Sequence, residues 1–84
     1  MAYYVYILRS LKDGTYYVGS TGDLADRIER HNQGRSKYTK TRRPWTLEYS
    51  EEYQDRSAAV RREREIKAKK KSEYIQRLVS TPRP

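Results

Sequence analysis

The chain has 84 residues, room for one small domain that buries about two-thirds of the surface its unfolded form exposes. Leu, Ile and Val number 13 and Phe is absent, a composition near that of disordered chains; nine tyrosines offset it and predict a tyrosine-rich, partly polar core, because each buried phenol needs a partner. With no Cys and one His, disulfides, thiolate zinc sites and multi-histidine metal sites are excluded, any metal must sit on oxygen ligands, and the net charge of +8 points to a polyanion as partner.

The N-terminal run from Tyr3 to Leu8 is apolar or aromatic throughout, as in a central strand covered on both faces. It is far shorter than the roughly 20 residues that span a bilayer and lacks signal-peptide flanks, so the expected setting is cytoplasmic, with no membrane partner. Asp13-Gly14 signals a hairpin. A two-residue turn there would set Tyr6 opposite Thr21 and would place Tyr6 and Tyr17 on one face.

Residues 23 to 33 predict a helix capped by Asp23 or Thr21 and stopped by Gly34, with Leu24 and Ile28 as its apolar stripe. Residues 35 to 44 hold five cations, no acid and a closing Pro, which reads as an exposed basic loop without core residues. In residues 45 to 53, Trp45, Leu47 and Tyr49 alternate with Thr46, Glu48 and Ser50, predicting a third strand. Asp55 or Ser57 caps a second helix to about Ala68, and Tyr74, Ile75, Leu78 and Val79 mark a third. The expected fold is α+β: a three-stranded antiparallel sheet in the order 2-1-3 with three helices, ββαβαα, in one domain over residues 1–84, ordered from 3 to 79 and frayed from 80 to 84.

The charge is uneven. Residues 1 to 34 carry four charges of each sign, whereas residues 35 to 84 carry 15 basic and seven acidic residues, so the whole excess lies in the C-terminal part. That asymmetry suggests a surface for a polyanion, most often nucleic acid and less often an anionic membrane or an acidic protein, against the plain alternative of a solvated charged face; Arg35, Lys37, Lys40, Arg42, Arg43, Arg61 and Lys67 are the candidates for nucleic acid.

Two sets of residues sit where chemistry needs them. Arg27 and His31 are one helical turn apart on a flank of the Leu24/Ile28 stripe, although, taken alone, they are better explained by an Arg27 pair with Asp23 and a polar His31 near a helix end. On the second helix, stepping about 100° per residue from Ala59 places Glu63 near 40°, inside the arc of Ala59, Val60 and Ile66. Glu65 falls on the solvent side among Arg61, Arg62 and Arg64. A core-facing carboxylate costs several kcal/mol unless paired or bound to a cation, so Glu63 is either a metal ligand or the partner of Lys67 or Arg27.

The tripeptide Tyr4-Val5-Tyr6, then Tyr17-Val18-Gly19, then Arg27 and His31 on the next helix and Glu63 on a later one, resembles the GIY-YIG nuclease superfamily, closest to its small free-standing members. The resemblance implies an endonuclease using one Mg²⁺ (or Mn²⁺), with Glu63 as metal ligand, Arg27 holding the scissile phosphate, Tyr6 and Tyr17 handling or orienting the attacking water, and His31 sharing the proton traffic. It implies DNA more than RNA as substrate, selected by structure or strand rather than by sequence, and either a protein partner that supplies specificity or a low intrinsic specificity. Two positions depart from the family pattern: Tyr4 stands at its Gly, and Ile75 at its usual Asn. The alternative is a non-catalytic module that retains the nuclease fold and holds nucleic acid by charge and by stacking on Tyr38 or Trp45.

Overall fold

The computed structural model describes residues 2–69 and 72–80. Three strands, β1 (Tyr3–Ser10), β2 (Tyr16–Thr21) and β3 (Trp45–Tyr53), form one antiparallel sheet in the order β2-β1-β3. Helix α1 (Leu24–Asn32) follows β2, while α2 (Arg56–Lys69) and α3 (Ser72–Ser80) follow β3. The expected ββαβαα order is therefore present. The lysines at 70 and 71 and residues 81–84 lie outside the described residues; of the tail 80–84 expected to fray, Ser80 is the last residue of α3.

β1 is central because it is apolar on both faces, and each face has its own cover. Val5 and Ile7 join Val18, Ala59 and Ile66 beneath α2 and α3, with Tyr49, Tyr53, Tyr74 and Leu78 packed around them. Tyr6 and Leu8 join Trp45 on the opposite face, closed by Leu24 and Ile28 of α1. The sheet is thus a middle layer with helices on both sides.

The hairpin corrects the sequence expectation. Tyr6 lies opposite Gly19, and Leu8 opposite Tyr17. The loop is four residues long, Leu11 to Gly14, closed by Ser10 N–H to the Thr15 carbonyl (2.8 Å) and Gly14 N–H to the Ser10 carbonyl (2.9 Å). Ser10 Oγ accepts from the Lys12 and Asp13 amides at 3.1 and 3.2 Å, which satisfies the turn from inside and favours the wider loop. Gly14 adopts φ +77°, a conformation that only glycine takes at low cost. The register moves by two residues, an even number, so Tyr6 and Tyr17 still share a face.

β3 departs from simple alternation as well. Ile7 pairs with Tyr49 and Leu8 with Leu47, so Glu48 is an extra residue in a β-bulge. The bulge puts Trp45 on the Tyr6 face and Tyr49 and Tyr53 on the Val5 face, where strict alternation would have kept Trp45 and Tyr49 together.

The segment 35–44 is not free of core residues. Thr39 is fully buried and opens a short 3₁₀ turn, Lys40–Arg42. Its carbonyl accepts from Trp45 Nε1 (3.0 Å), and the Arg42 carbonyl accepts from Ser10 Oγ (2.6 Å). Asn32 clamps the segment's far end, its Oδ1 accepting from Trp45 N–H (2.6 Å) and its Nδ2 donating to the Trp45 carbonyl (3.1 Å). A basic loop with many exposed cations is therefore pinned at three points by backbone and buried polar groups.

Candidate active site

β1 and β2 deliver the two motif tyrosines to the α1 face. Tyr6 is buried, with its ring lying across β2 at Gly19. A Cβ on residue 19 would stand 2.5 Å from the Tyr6 hydroxyl oxygen, so only glycine lets that phenol cross the strand. Tyr4 sits in ordinary paired strand between Thr21 and Glu52, a place that asks for no glycine.

α1 is positioned by its cap and its stripe. Asp23 Oδ1 accepts from the Asp26 amide at 3.0 Å, while Leu24 and Ile28 anchor the helix to Tyr6, Leu8 and Trp45. Asp23 is thereby used as a cap, and Asp26 pairs with Arg30 at 3.0 Å. Arg27 Nε is buried without a hydrogen-bond partner, and its guanidinium lies beside the Tyr6 hydroxyl. A buried, unpartnered guanidinium nitrogen is costly in an isolated protein and is satisfied by an anion.

His31 is buried behind this pair. Its Nε2 meets the Tyr6 hydroxyl at 3.1 Å, and its Nδ1 meets Thr39 Oγ1 at 2.8 Å. The result is a continuous chain, Thr39–His31–Tyr6, ending beside Arg27. Burial first, then the charge of Arg27, holds the imidazole below its ordinary pKa of 6.5, so it is neutral at pH 7. Burial also pushes the Tyr6 phenol well above 10, with Tyr17 adding to the shift and Arg27 opposing it. The nearby cation does not bring Tyr6 into the range of a base at neutral pH. Tyr6 is therefore a fixed, neutral hydroxyl.

Tyr17 is only partly buried, and its ring packs edge-on to His31, with centroids 4.9 Å apart. It also neighbours Tyr6 (6.3 Å), Trp45 (6.2 Å) and Tyr38 (5.9 Å). Glu63 approaches from the other face of the sheet. Its Oε1 accepts from Ser20 Oγ and its Oε2 from Lys67 Nζ, both at 2.6 Å. Because β2 is an edge strand, Lys67 wraps round it, and its ammonium stands 5.9 Å from the Tyr17 ring centroid. The charge of Glu63 is felt at the Tyr6 phenol. Tyr6, Tyr17, Arg27 and His31 thus converge directly, and Glu63 joins them round the β2 edge as the partner of Lys67.

The predicted cations separate into groups. Lys67 and Arg42 stand near Tyr17 and Tyr38, Arg42 holding Asp13 at 3.4 Å and lying 5.9 Å from the Tyr38 ring centroid. Arg35, Lys37, Lys40 and Arg43 are exposed on the pinned loop. Arg61 is elsewhere, in a shallow hollow on α2 with Arg56, Val60 and Arg64. Arg62, grouped with the solvent-side residues in the sequence reading, steps to about 300° on the same wheel, beside Ile66, and turns inward: its Nε donates to Glu51 Oε1 at 3.0 Å and its Nη2 to Glu51 Oε2 at 3.2 Å. Thr39 and Ser20 are the site residues that sequence reasoning missed, and Gly19, read there as part of the motif, had no role assigned. Thr39 carries no local signal, whereas Gly19 is visible as the residue opposite Tyr6 once the register is known.

The GIY-YIG catalytic-domain model matches residues 2–76, so the chain belongs to the GIY-YIG family. The UPF0213 proteins of Staphylococcus aureus strains Mu50 and N315 are each 46% identical to it over 67 residues, 79% of this chain and 80% of theirs. The solution structure of a UPF0213 protein from Bacillus halodurans is similar with a TM-score of 0.59 at 38% identity, covering 95% of this chain and 84% of that one.

Proposed function

We propose that the chain is an endonuclease that hydrolyses nucleic-acid phosphodiesters, DNA rather than RNA, with Arg27 as the phosphate-holding residue. The observation that carries this reading is the buried Arg27 Nε without a partner, set beside the Tyr6 hydroxyl, with His31 bonded to that hydroxyl and Tyr17 packed against both rings. A planar guanidinium in that position meets two phosphate oxygens and offsets the charge that grows as water attacks. The Tyr6 hydroxyl, held by His31, fixes the phosphate or the water by hydrogen bonding, and the more open Tyr17 hydroxyl orients the attacking water.

The donor set suits one Mg²⁺ or Mn²⁺ held mainly by substrate and water rather than a protein cage. Glu63 is the carboxylate whose charge reaches Tyr6, and among the described residues no group of three or more His, Cys, Asp or Glu could hold a metal. Mg²⁺ commonly binds through one or two carboxylates plus substrate phosphates. Glu63 would hold the ion once Lys67, whose side chain is half exposed, gives up its place. When bound, the ion would polarise the phosphate and neutralise developing charge.

The occupation of both Glu63 oxygens by Ser20 and Lys67 is the observation that favours the second reading, a module that binds nucleic acid without cutting it. Labelled single-stranded, duplex, flap and branched DNA, and RNA, incubated with the protein in Mg²⁺ or EDTA, separate the two. Metal-dependent nicking that disappears in Arg27→Ala and Glu63→Gln supports the nuclease. Retention of nucleic acid that ignores metal, without nicking, supports the module.

A further inference from the structure

A groove of about 810 Å³ runs along the outer side of β2, away from Arg27 but continuous with Tyr17 and Lys67. Tyr16, Tyr17 and Tyr38 line it together with Ile75 and Gln76. Each of the three tyrosines carries a cation over its ring: Arg9 on Tyr16 at 6.0 Å, Lys67 on Tyr17 at 5.9 Å and Arg42 on Tyr38 at 5.9 Å. Tyr38 is 65% exposed, an unusual position for a ring of that size, and it adjoins Tyr17. Trp45, the other candidate for stacking, is 4% exposed and unavailable.

Exposed Tyr38 beside Tyr17, with Lys67 in the same groove and Arg42 at its edge, fits a ligand that presents both flat bases and phosphates. A duplex offers phosphates to such a groove but keeps its base faces stacked inside, so the exposed Tyr38 ring would gain nothing from it. An extended peptide pairing with the β2 edge would use neither the cations nor the ring. We propose that this groove is a subsite for unpaired nucleotides adjoining the scissile phosphate, with Tyr38 as the stacking surface, Lys67 in the groove wall facing the backbone, and Arg42 and Arg9 at its margins beside Tyr38 and Tyr16. The inference takes the position of the scissile phosphate from the nuclease reading, while the stacked base rests on the groove alone. Ile75, where the family pattern has Asn, then serves as an apolar wall of the groove and a packing residue for the core beneath it.

Binding is measured by fluorescence anisotropy without divalent ions, so that nothing is cut, using a short labelled DNA strand, RNA of the same sequence, the DNA strand with abasic sites, and a blunt duplex. Tyr38→Ala is expected to weaken binding of the intact single strand about tenfold and to leave the abasic strand and the duplex within about twofold. Tyr38→Trp is expected to restore affinity and to show quenching of its own emission by the intact strand, with buried Trp45 as a constant background. Comparing the DNA and RNA arms assigns the sugar. If Tyr38→Ala binds the intact strand normally, or loses the abasic strand equally, or if the tryptophan is not quenched, the subsite is wrong. A protein that shows the Tyr38 dependence yet cuts nothing in Mg²⁺ overturns the nuclease reading alone. One whose cutting depends on Arg27 but whose strand binding ignores Tyr38 overturns the subsite alone, and one that binds no strand at low salt overturns both.

Discussion

Tyr6 and His31 meet at 3.1 Å with Arg27 beside them, and burial favours the neutral form of both the phenol and the imidazole. Arg27 is one cation among 19, so Arg27→Ala is expected to leave affinity for nucleic acid nearly unchanged while lowering the cleavage rate by about 100-fold or more. Arg27→Lys should recover only part of the rate, because an ammonium lacks the planar fork; single-turnover cleavage beside an anisotropy titration checks both. His31 supplies a pH dependence. Its folded pKa lies below 6.5, so the unfolded chain binds its proton first as pH falls, and stability contributed by the neutral ring is complete above about 6.5 and lost below it. Urea unfolding across this range is expected to show stability falling as pH drops below about 6.5, and His31→Gln should flatten that part of the profile.

Among the elements, β3 and α2 are joined by a polar cluster that the candidate site does not use. Glu51 accepts from Tyr49, Tyr53 and both faces of the Arg62 fork, and Arg62 also reaches Glu65 (2.7 Å) and Tyr74 (3.4 Å). Burial works against the Glu51 charge, but the hydrogen bonds from Arg62, Tyr49 and Tyr53 outweigh it and hold the carboxyl below 4.5. Tyr53 is pushed up to about 12, by burial first and then by Glu51. Stability tied to Glu51 is therefore present above about 4.5 and lost as pH falls through its folded value. Glu51→Gln leaves the Arg62 guanidinium, whose side chain is 20% exposed, without its main charge partner. It is expected to lower the unfolding free energy by about 2 kcal/mol in urea titrations at neutral pH, with no effect on which nucleic acid is bound.

At the scale of the whole molecule, the net charge of +8 should make affinity steeply salt-dependent. If about four to eight cations touch phosphate, a log-log plot for duplex DNA has a slope of roughly −3 to −7, and a flat response would remove the polyanion as partner. Replacing Lys40, Arg42 and Arg43 together should reduce the slope, but not without cost to the fold, since Arg42 holds Asp13 and lies over Tyr38. Glu63 tests the relation between site and stability. Its partner Lys67 is half exposed and is hydrated when released, so Glu63→Gln should change the melting free energy in EDTA by less than about 1 kcal/mol while abolishing Mg²⁺-dependent cleavage. A variant that melts several degrees lower in EDTA and still cuts would make Glu63 a structural residue.

The sequence by itself determined whatever depends on direction within one element. The unbroken apolar run put β1 in the middle, strand parity put Tyr6 and Tyr17 on one face, and helical period put Arg27 beside His31 and turned Glu63 inward. Those inferences survived a wrong turn length because a shift of two residues preserves parity. Only the tertiary structure decided which partners those directions meet. Glu63 is tied to Ser20, 43 residues away, and Tyr6 to His31, 25 residues away. Thr39 is buried because it lies between His31 and Trp45, Arg62 turns inward because Glu51 waits on β3, and the Glu48 bulge moves Trp45 to the opposite face from Tyr49. Periodicity records where a side chain points along its own backbone, but a hydrogen bond or an ion pair also depends on the group that another element places there, and that is settled only when the sheet and helices pack.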